Sequence, residues 1–286
     1  MTVPCLGPDP APRPPRFTMP AGACDCHSHV IGPPDKYPYV PERSYTPPDA
    51  LLEDYKALHR ILGIERAVIV QPSVHGTDNQ VTLDAIAGYG PNARGIAVVD
   101  PDISEPELQD LHDGGMRGLR LNVLFGGGVG LHALEPLAEK IAPFGWHLQL
   151  LLDAQIMEEL SPRIRKLPVP VVVDHMGHMH VEHGIDHPGF QALLALVREG
   201  IAWIKLSGNY RISSAAPDYA DAVPFARALI EAAPGHMVWG TDWPHPALTR
   251  HMPNDGDLLD ALATYAPDEA QRHAILVDNP ARLYGF

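Results

Sequence analysis

Eight short apolar runs punctuate the chain, and between them lie longer stretches whose apolar residues recur at intervals of three and four. The runs are 23–30 (ACDCHSHV), 66–71 (RAVIVQ), 94–99 (RGIAVV), 117–123 (RGLRLNV), 147–152 (HLQLLL), 170–174 (PVVVD), 202–206 (AWIKL) and 236–241 (HMVWGT). Each has the length of a strand, and several are apolar without strict alternation, as parallel strands covered on both faces are. The stretches between them, such as PPDALLEDYKALHRILG, NQVTLDAIAGYG, LEPLAEKIAPFG and HPGFQALLALVREG, keep helical spacing, and several close at Gly or Pro. A last helical stretch, beginning GDLLDALATY, follows the eighth run and continues to Phe286. Eight strand and helix units in this order predict an α/β domain of the (β/α)8 TIM-barrel class over residues 22–286. An open doubly wound sheet is the rival, but no G-x-G-x-x-G follows the first run. Residues 1–21 are rich in proline and predict an extended arm that drapes over the barrel or over a second subunit.

In barrels of this class the reactive groups sit at the C-terminal ends of the strands. Polar residues gather there: His27 and His29 after the first run, Gln71 to Ser73 after the second, Arg120 and Asn122 in the fourth, Asp174 and His175 after the sixth, Lys205 to Arg211 after the seventh, and Asp242 after the eighth. On a regular strand His27 and His29 share one face, while Cys26 and Ser28 take the other. Asp242, in VWGTDWPHP, is then expected to face His27, His29 and His175 across the barrel mouth. A carboxylate in that place can act as general base to a water or as a metal ligand.

An anionic substrate needs fixed cations, and the planar fork of Arg suits a carboxylate. Arg120 and Arg211 are the candidates, with Arg120 ahead of Arg117 because it shares a face with Asn122. Tyr45 in RSYTPPDA and Ser73 in QPSVHG are loop hydroxyls suited to substrate hydrogen bonds. Ser73 lacks the G-x-S-x-G elbow of a nucleophile. His178, His180, His183 and His187 are irregularly spaced and read as a polar loop. The FGGGVG run at 125–130 lacks the Lys-Ser/Thr pair of a phosphate loop.

Composition narrows the function classes. Lys and Arg number 21 against 35 Asp and Glu, a formal net charge of −14, which argues against a nucleic-acid or anionic-membrane surface. No apolar run approaches the roughly 20 residues of a membrane span, and the N-terminus lacks the order of a secretory signal. Three cysteines, Cys5, Cys24 and Cys26, crowd the start of the chain and give no readable disulfide framework, so a cytoplasmic setting is expected.

Taken in order, DCHSHVIGP, YPYVPERSYTP, VIVQPSVHGTDN, VVVDHMG, WGTDWPHP and the terminal NPARLYGF resemble the amidohydrolase superfamily, and within it the branch of 2-pyrone-4,6-dicarboxylate lactonases. The resemblance implies hydrolysis of a carboxylated lactone, without a bound metal in the best-known members. It implies Asp242 as general base with His27, His29 and His175 completing the catalytic group, and Tyr45, Ser73, Arg120 and Arg211 contacting substrate. The histidines are expected to hydrogen-bond the developing oxyanion. Two departures bear on specificity: VLFGGG stands where that branch has a further Arg, and LQLLLDA stands where it has a Tyr. A lactone with one carboxylate, a sulfonate, or a sugar-acid lactone is therefore expected. No cofactor is required in this reading; if Zn²⁺ binds, His27, His29, His175 and Asp242 are its ligands. The rivals are a lactone isomerase, a metal-dependent decarboxylase of the same superfamily, and a non-catalytic binding barrel. The only partner expected is a small anionic lactone, acted on by a monomer or a homodimer.

Overall fold

The computed structural model describes residues 3–286. Eight parallel strands pair in chain order: β1 (Cys24–Ser28), β2 (Arg66–Val70), β3 (Ala93–Ala97), β4 (Met116–Asn122), β5 (His147–Leu151), β6 (Val171–Val173), β7 (Ala202–Leu206) and β8 (Met237–Trp239). Each coincides with one of the eight apolar runs. Helices α1 (Leu52–Leu62), α2 (Gln80–Tyr89), α3 (Glu105–Asp113), α4 (Leu134–Ile141), α5 (Met157–Ile164), α6 (Pro188–Arg198), α7 (Val223–Ala232) and α8 (Asp255–Tyr265) follow the strands in turn. In α1 the buried residues Tyr55, Leu58, His59 and Leu62 line one stripe, and Gly63 ends the helix in the left-handed conformation at φ 75°. In α3 Ser104 and Glu107 form a capping box.

The sheet closes where β1 meets β8. The Asp242 N–H donates to His27 O at 2.7 Å, the His29 N–H donates to Trp243 O at 2.7 Å, and Ser28 and Trp243 form a parallel bridge. Asp25, fully buried, fastens the same seam. Its Oδ1 accepts from the N–H groups of His27 (3.0 Å) and Thr241 (2.9 Å), and its Oδ2 from the hydroxyls of Thr241 (2.6 Å) and Tyr55 (3.0 Å).

Regular alternation fails in β1. The register shifts between Asp25 and Ser28, and this bulge turns the consecutive residues Cys26 and His27 both inward. Cys26 packs in the barrel interior with Cys24, Val68, Val70, Ile96, Val172, Trp203 and Val238, above Tyr284 of the C-terminal helix, instead of facing away from the histidines. One extra residue in the ladder is sufficient to change the parity.

Loops and the N-terminal arm roof the mouth. The Val40 N–H donates to Val74 O (2.8 Å) and the Gly126 N–H to Ser44 Oγ (2.7 Å), which joins the loops after β1, β2 and β4. Gly126 and Gly127 lie so close to the Glu42 and Ser73 carbonyls that a Cβ at either would collide, which accounts for the glycine run. Val3–Pro4 pairs in parallel with Tyr45–Thr46, the Cys5 N–H donates to Thr46 O (3.1 Å), and the Leu6 N–H donates to Leu248 O (2.8 Å). Farther along the arm, Arg13 is paired with Asp257 and Asp260 of α8.

Burial alone would raise the Asp25 pKa, but the hydrogen bond and charge of His59 and the Thr241 hydroxyl outweigh it and hold the carboxyl below its ordinary value. Its contribution is therefore complete above the unfolded value near pH ~3.9 and is lost as pH falls through the lowered folded value. Asp25→Asn is expected to cost about 3 kcal/mol of unfolding free energy near neutrality. The gap from wild type should narrow below about pH 4, which urea unfolding at several pH values will show.

Candidate active site

The seam and the neighbouring strand ends bring His27, His29, His175 and Asp242 together. The Nε2 atoms of His27 and His29 each lie 3.7 Å from Asp242 Oδ1, and His175 Nε2 lies 3.7 Å from Asp242 Oδ2. None of the four is more than 2 % exposed. His175 (φ 52°) and Asp242 (φ 65°) both adopt the left-handed backbone conformation, uncommon outside Gly and concentrated at functional sites.

Hydrogen bonds behind each ring decide which nitrogen is offered to the site. His29 Nδ1 lies 2.8 Å from Val70 O, which only accepts, so Nδ1 carries the proton and Nε2 presents a lone pair. His175 Nδ1 meets Ser207 Oγ at 3.0 Å, and His27 Nδ1 has Lys205 Nζ at 3.3 Å and Asp174 Oδ1 at 3.2 Å. Both rings can therefore carry the proton on Nε2. The expectation that all the histidines donate to an oxyanion fails for His29 in this arrangement.

Each candidate arginine is already engaged. Arg211 Nε donates to Asp242 Oδ2 at 2.5 Å, and Arg120 reaches Asp174 Oδ2 through Nε (3.2 Å) and Nη2 (3.1 Å). Lys205 donates to Gln149 Oε1 at 2.6 Å, and the Gln149 amide returns a bond to Asp174 Oδ2 at 3.0 Å. Burial would raise the pKa of Asp242, but Arg211 and the three histidines hold it well below the carboxylate range. Asp174 is likewise held down by His27, Lys205 and Arg120 against the effect of burial. Burial pushes His27, His29 and His175 below the ordinary imidazole value, and it pushes Lys205 down to about 8 against the opposing pull of Asp174. Neutral imidazoles thus surround an ionised carboxylate. Asp242 Oδ1, buried, has no hydrogen-bond partner among the described residues.

Tyr45 and Ser73 meet above this group, hydroxyl to hydroxyl at 3.4 Å, with Phe125 edge-on to Tyr45. Asn122 Oδ1 accepts from the N–H groups of Leu124 and Phe125 and so shapes the same roof. Of the four loop histidines only His178 reaches the site, its ring 5.9 Å from His175 and its Nε2 buried without a partner. His183 and His187 pair with each other, and His180 turns to Ser214.

Sequence reasoning assigned no role to Gln149, Asp174, Lys205 or Tyr210. A signal existed for two of them: Lys205 in AWIKL and Gln149 in HLQLLL are polar residues inside runs covered on both sides, and such groups must find partners in the barrel interior.

The donor set also fits a divalent ion. One ligand atom each from His27, His175 and Asp242 lie within 4.8 Å of one another, and His27 Nε2 and Asp242 Oδ1 are buried and unpartnered. Nitrogen and carboxylate donors suit Zn²⁺, and Asp174 behind His27 supplies the carboxylate support usual for a ligating imidazole.

Residues 24–286 match the family model described as Amidohydrolase, and the chain belongs to that family. It is 43 % identical to a 4-sulfomuconolactone hydrolase of Hydrogenophaga intermedia, over 98 % of this chain and 94 % of that one. It is also 43 % identical to a 2-pyrone-4,6-dicarboxylate hydrolase of Comamonas testosteroni, over 96 % and 93 %. A D-galactarolactone isomerase of Agrobacterium fabrum is 35 % identical over 96 % and 94 %.

Lys205→Met keeps the bulk of the side chain but removes the donor to Gln149 and the charge beside Asp174. It is expected to cost about 3 kcal/mol of unfolding free energy, to be measured by denaturant titration.

Proposed function

We propose that this protein is a lactonase in which Asp242 activates the water that opens the ring ester of an anionic lactone, within a catalytic unit of residues 22–286. The observation that carries the reading is the free Oδ1 of Asp242, 3.7 Å from His29 Nε2. Both atoms accept hydrogen bonds, so one water can donate to both and hold its oxygen lone pair toward the substrate. As the water oxygen bonds to the lactone carbonyl carbon, its proton passes to Oδ1. Nε2–H groups of His27 and His175 stabilise the oxyanion, and such pre-organised donors are worth around 3 kcal/mol each. Collapse breaks the ring C–O bond, Asp242 returns the proton to the leaving oxygen, and the product is a ring-opened carboxylic acid.

Arg120 and Arg211 hold the substrate's anionic group, with Tyr45 and Ser73 above it. An anion that draws the Arg211 guanidinium toward itself relieves the depression of the Asp242 pKa, which makes the base stronger once substrate is in place. The missing second Arg in VLFGGG and the missing Tyr in LQLLLDA favour a lactone with a single anionic group, a carboxylate or a sulfonate. The relative named 4-sulfomuconolactone hydrolase supports a sulfonate as one such anion. His27, His29, His175 and Asp242 would hold a divalent metal, which would polarise the carbonyl or acidify the water. The step as written uses Arg211 beside Asp242 and the Nε2–H groups of His27 and His175. Unpaired cysteines at 5, 24 and 26 support a reducing, cytoplasmic setting. Among the described residues no helix is long and apolar enough to cross a membrane.

The second reading is acyl transfer between hydroxyls of a sugar-acid lactone with water excluded. Deep burial of the site and the relative named D-galactarolactone isomerase favour it. Acid release from carboxylated, sulfonated and sugar lactones decides, since only hydrolysis consumes water and frees an acid. Asp242→Asn is expected to lower kcat by about 10³-fold or more while leaving ligand affinity nearly unchanged; near-normal turnover would remove Asp242 from the mechanism. Turnover is expected to survive prolonged chelation and dialysis. Loss that Zn²⁺ restores would assign the site to a metal-assisted hydrolase instead.

A further inference from the structure

Behind the reacting carboxylate runs a line of buried side chains. Tyr210 Oη lies 2.5 Å from Asp242 Oδ2 and 2.9 Å from His245 Nδ1, and His245 Nε2 lies 3.2 Å from Asp255 Oδ1 at the start of α8. Tyr210 is 8 % exposed, Asp255 1 % and His245 0 %. His245 is fixed to the catalytic loop as well, its N–H donating to Asp242 O at 2.7 Å. Among the described residues His245 is the only side chain paired with the Asp255 carboxylate, by a close contact and not by an aligned hydrogen bond: both Asp255 oxygens and His245 Nε2 are buried without a hydrogen-bond partner.

We propose that Asp255, His245 and Tyr210 act as a positioning chain for Asp242, fixing which of its two oxygens receives the water; the proposal rests on the hydrolytic reading above. A phenol has one proton, and a short contact with an ionised carboxylate places that proton on the line to Oδ2. The phenol oxygen is then an acceptor toward His245, so Nδ1 must carry a hydrogen. Asp255 Oδ1 lies 3.2 Å from Nε2 on the far side of the ring and fixes the orientation in which Nδ1 meets the phenol oxygen. Tyr210 and Arg211 together occupy Oδ2, and Oδ1 is left as the oxygen facing His27 and His29. Without a polar neighbour at Nε2 the ring is free to turn, and the Nδ1 contact that aims the phenol at Oδ2 loosens.

Four variants test the chain, with kcat, KM and thermal midpoint measured for each on the lactone that wild type opens. Tyr210→Phe keeps the ring and is expected to lower kcat about tenfold, the worth of one hydrogen bond to a charged group, with KM within about twofold. Asp255→Leu, which removes the polar neighbour of Nε2, is expected to lose a similar factor. Asp255→Asn should recover most of it, because its amide keeps a polar group of the same size against Nε2 and so the orientation of the ring. Tyr210→Phe combined with Asp255→Leu should be no slower than Tyr210→Phe alone. A purely structural role would instead lower the midpoint, give losses that multiply, and make Asn no better than Leu; any of these three overturns the proposal. If Asp255→Leu does not fold, Tyr210→Phe decides alone, and a kcat within twofold of wild type overturns the chain. Asp242→Asn assayed in parallel separates the two levels: an inactive Asp242→Asn beside an unaffected Tyr210→Phe rejects the chain only, whereas an active Asp242→Asn rejects the hydrolytic reading.

Discussion

Closure of β1 onto β8 is the constraint on which both fold and chemistry depend. The two backbone hydrogen bonds that join residues 27 and 29 to residues 242 and 243 complete the barrel and, in doing so, set three of the four central side chains beside one another. Strands adjacent in the sheet hold their Cα atoms within about 5 Å, so groups at the very end of the chain and near its start become neighbours without any long loop. Asp25 makes the arrangement rigid by bonding to both strands and to α1. The reaction centre is thus part of the weld that shuts the cylinder.

Charge inside the barrel is distributed under the same constraint. A buried ion is costly unless it is paired and its remaining hydrogen-bonding positions are filled. The Oδ2 of Asp174 meets that condition with Arg120 and Gln149, with Lys205 and His27 close to its Oδ1, and the Oδ2 of Asp242 meets it with Arg211 and Tyr210. Satisfaction is incomplete at Oδ1 of Asp242, and beside it at His27 Nε2 and His178 Nε2. Unsatisfied buried acceptors are rare in folded proteins, and one enclosed by imidazoles at a barrel mouth is where a reacting molecule gains most by arriving.

Much of this was legible in the residue order. Strands buried on both faces must be apolar, so RAVIV, AWIKL and PVVVD announced themselves, and polar residues at strand ends marked His27, His29, His175 and Asp242 for one site. The bulge in β1 was not legible, because ACDCHS has no Gly or Pro to signal it and the extra residue is accommodated by pairing with β2. Pairings such as Lys205 with Gln149, or His245 with Asp255, depend on which layer of the interior each side chain enters, and neither pair has a characteristic spacing. His178 belonged to a histidine-rich loop in which Met176 and His178 take left-handed backbone angles, a turn that the spacing of its histidines does not signal.

The roof over the mouth has a kinetic consequence. With His27, His29, His175 and Asp242 at most 2 % exposed, and the arm bonded at Thr46 and Leu248 to the loops of the roof, a ligand that touches them has to displace part of that cover. A cover that has to part for a ligand to enter sets an upper limit on turnover, and Arg13, paired with Asp257 and Asp260, ties the arm to α8 beyond that point.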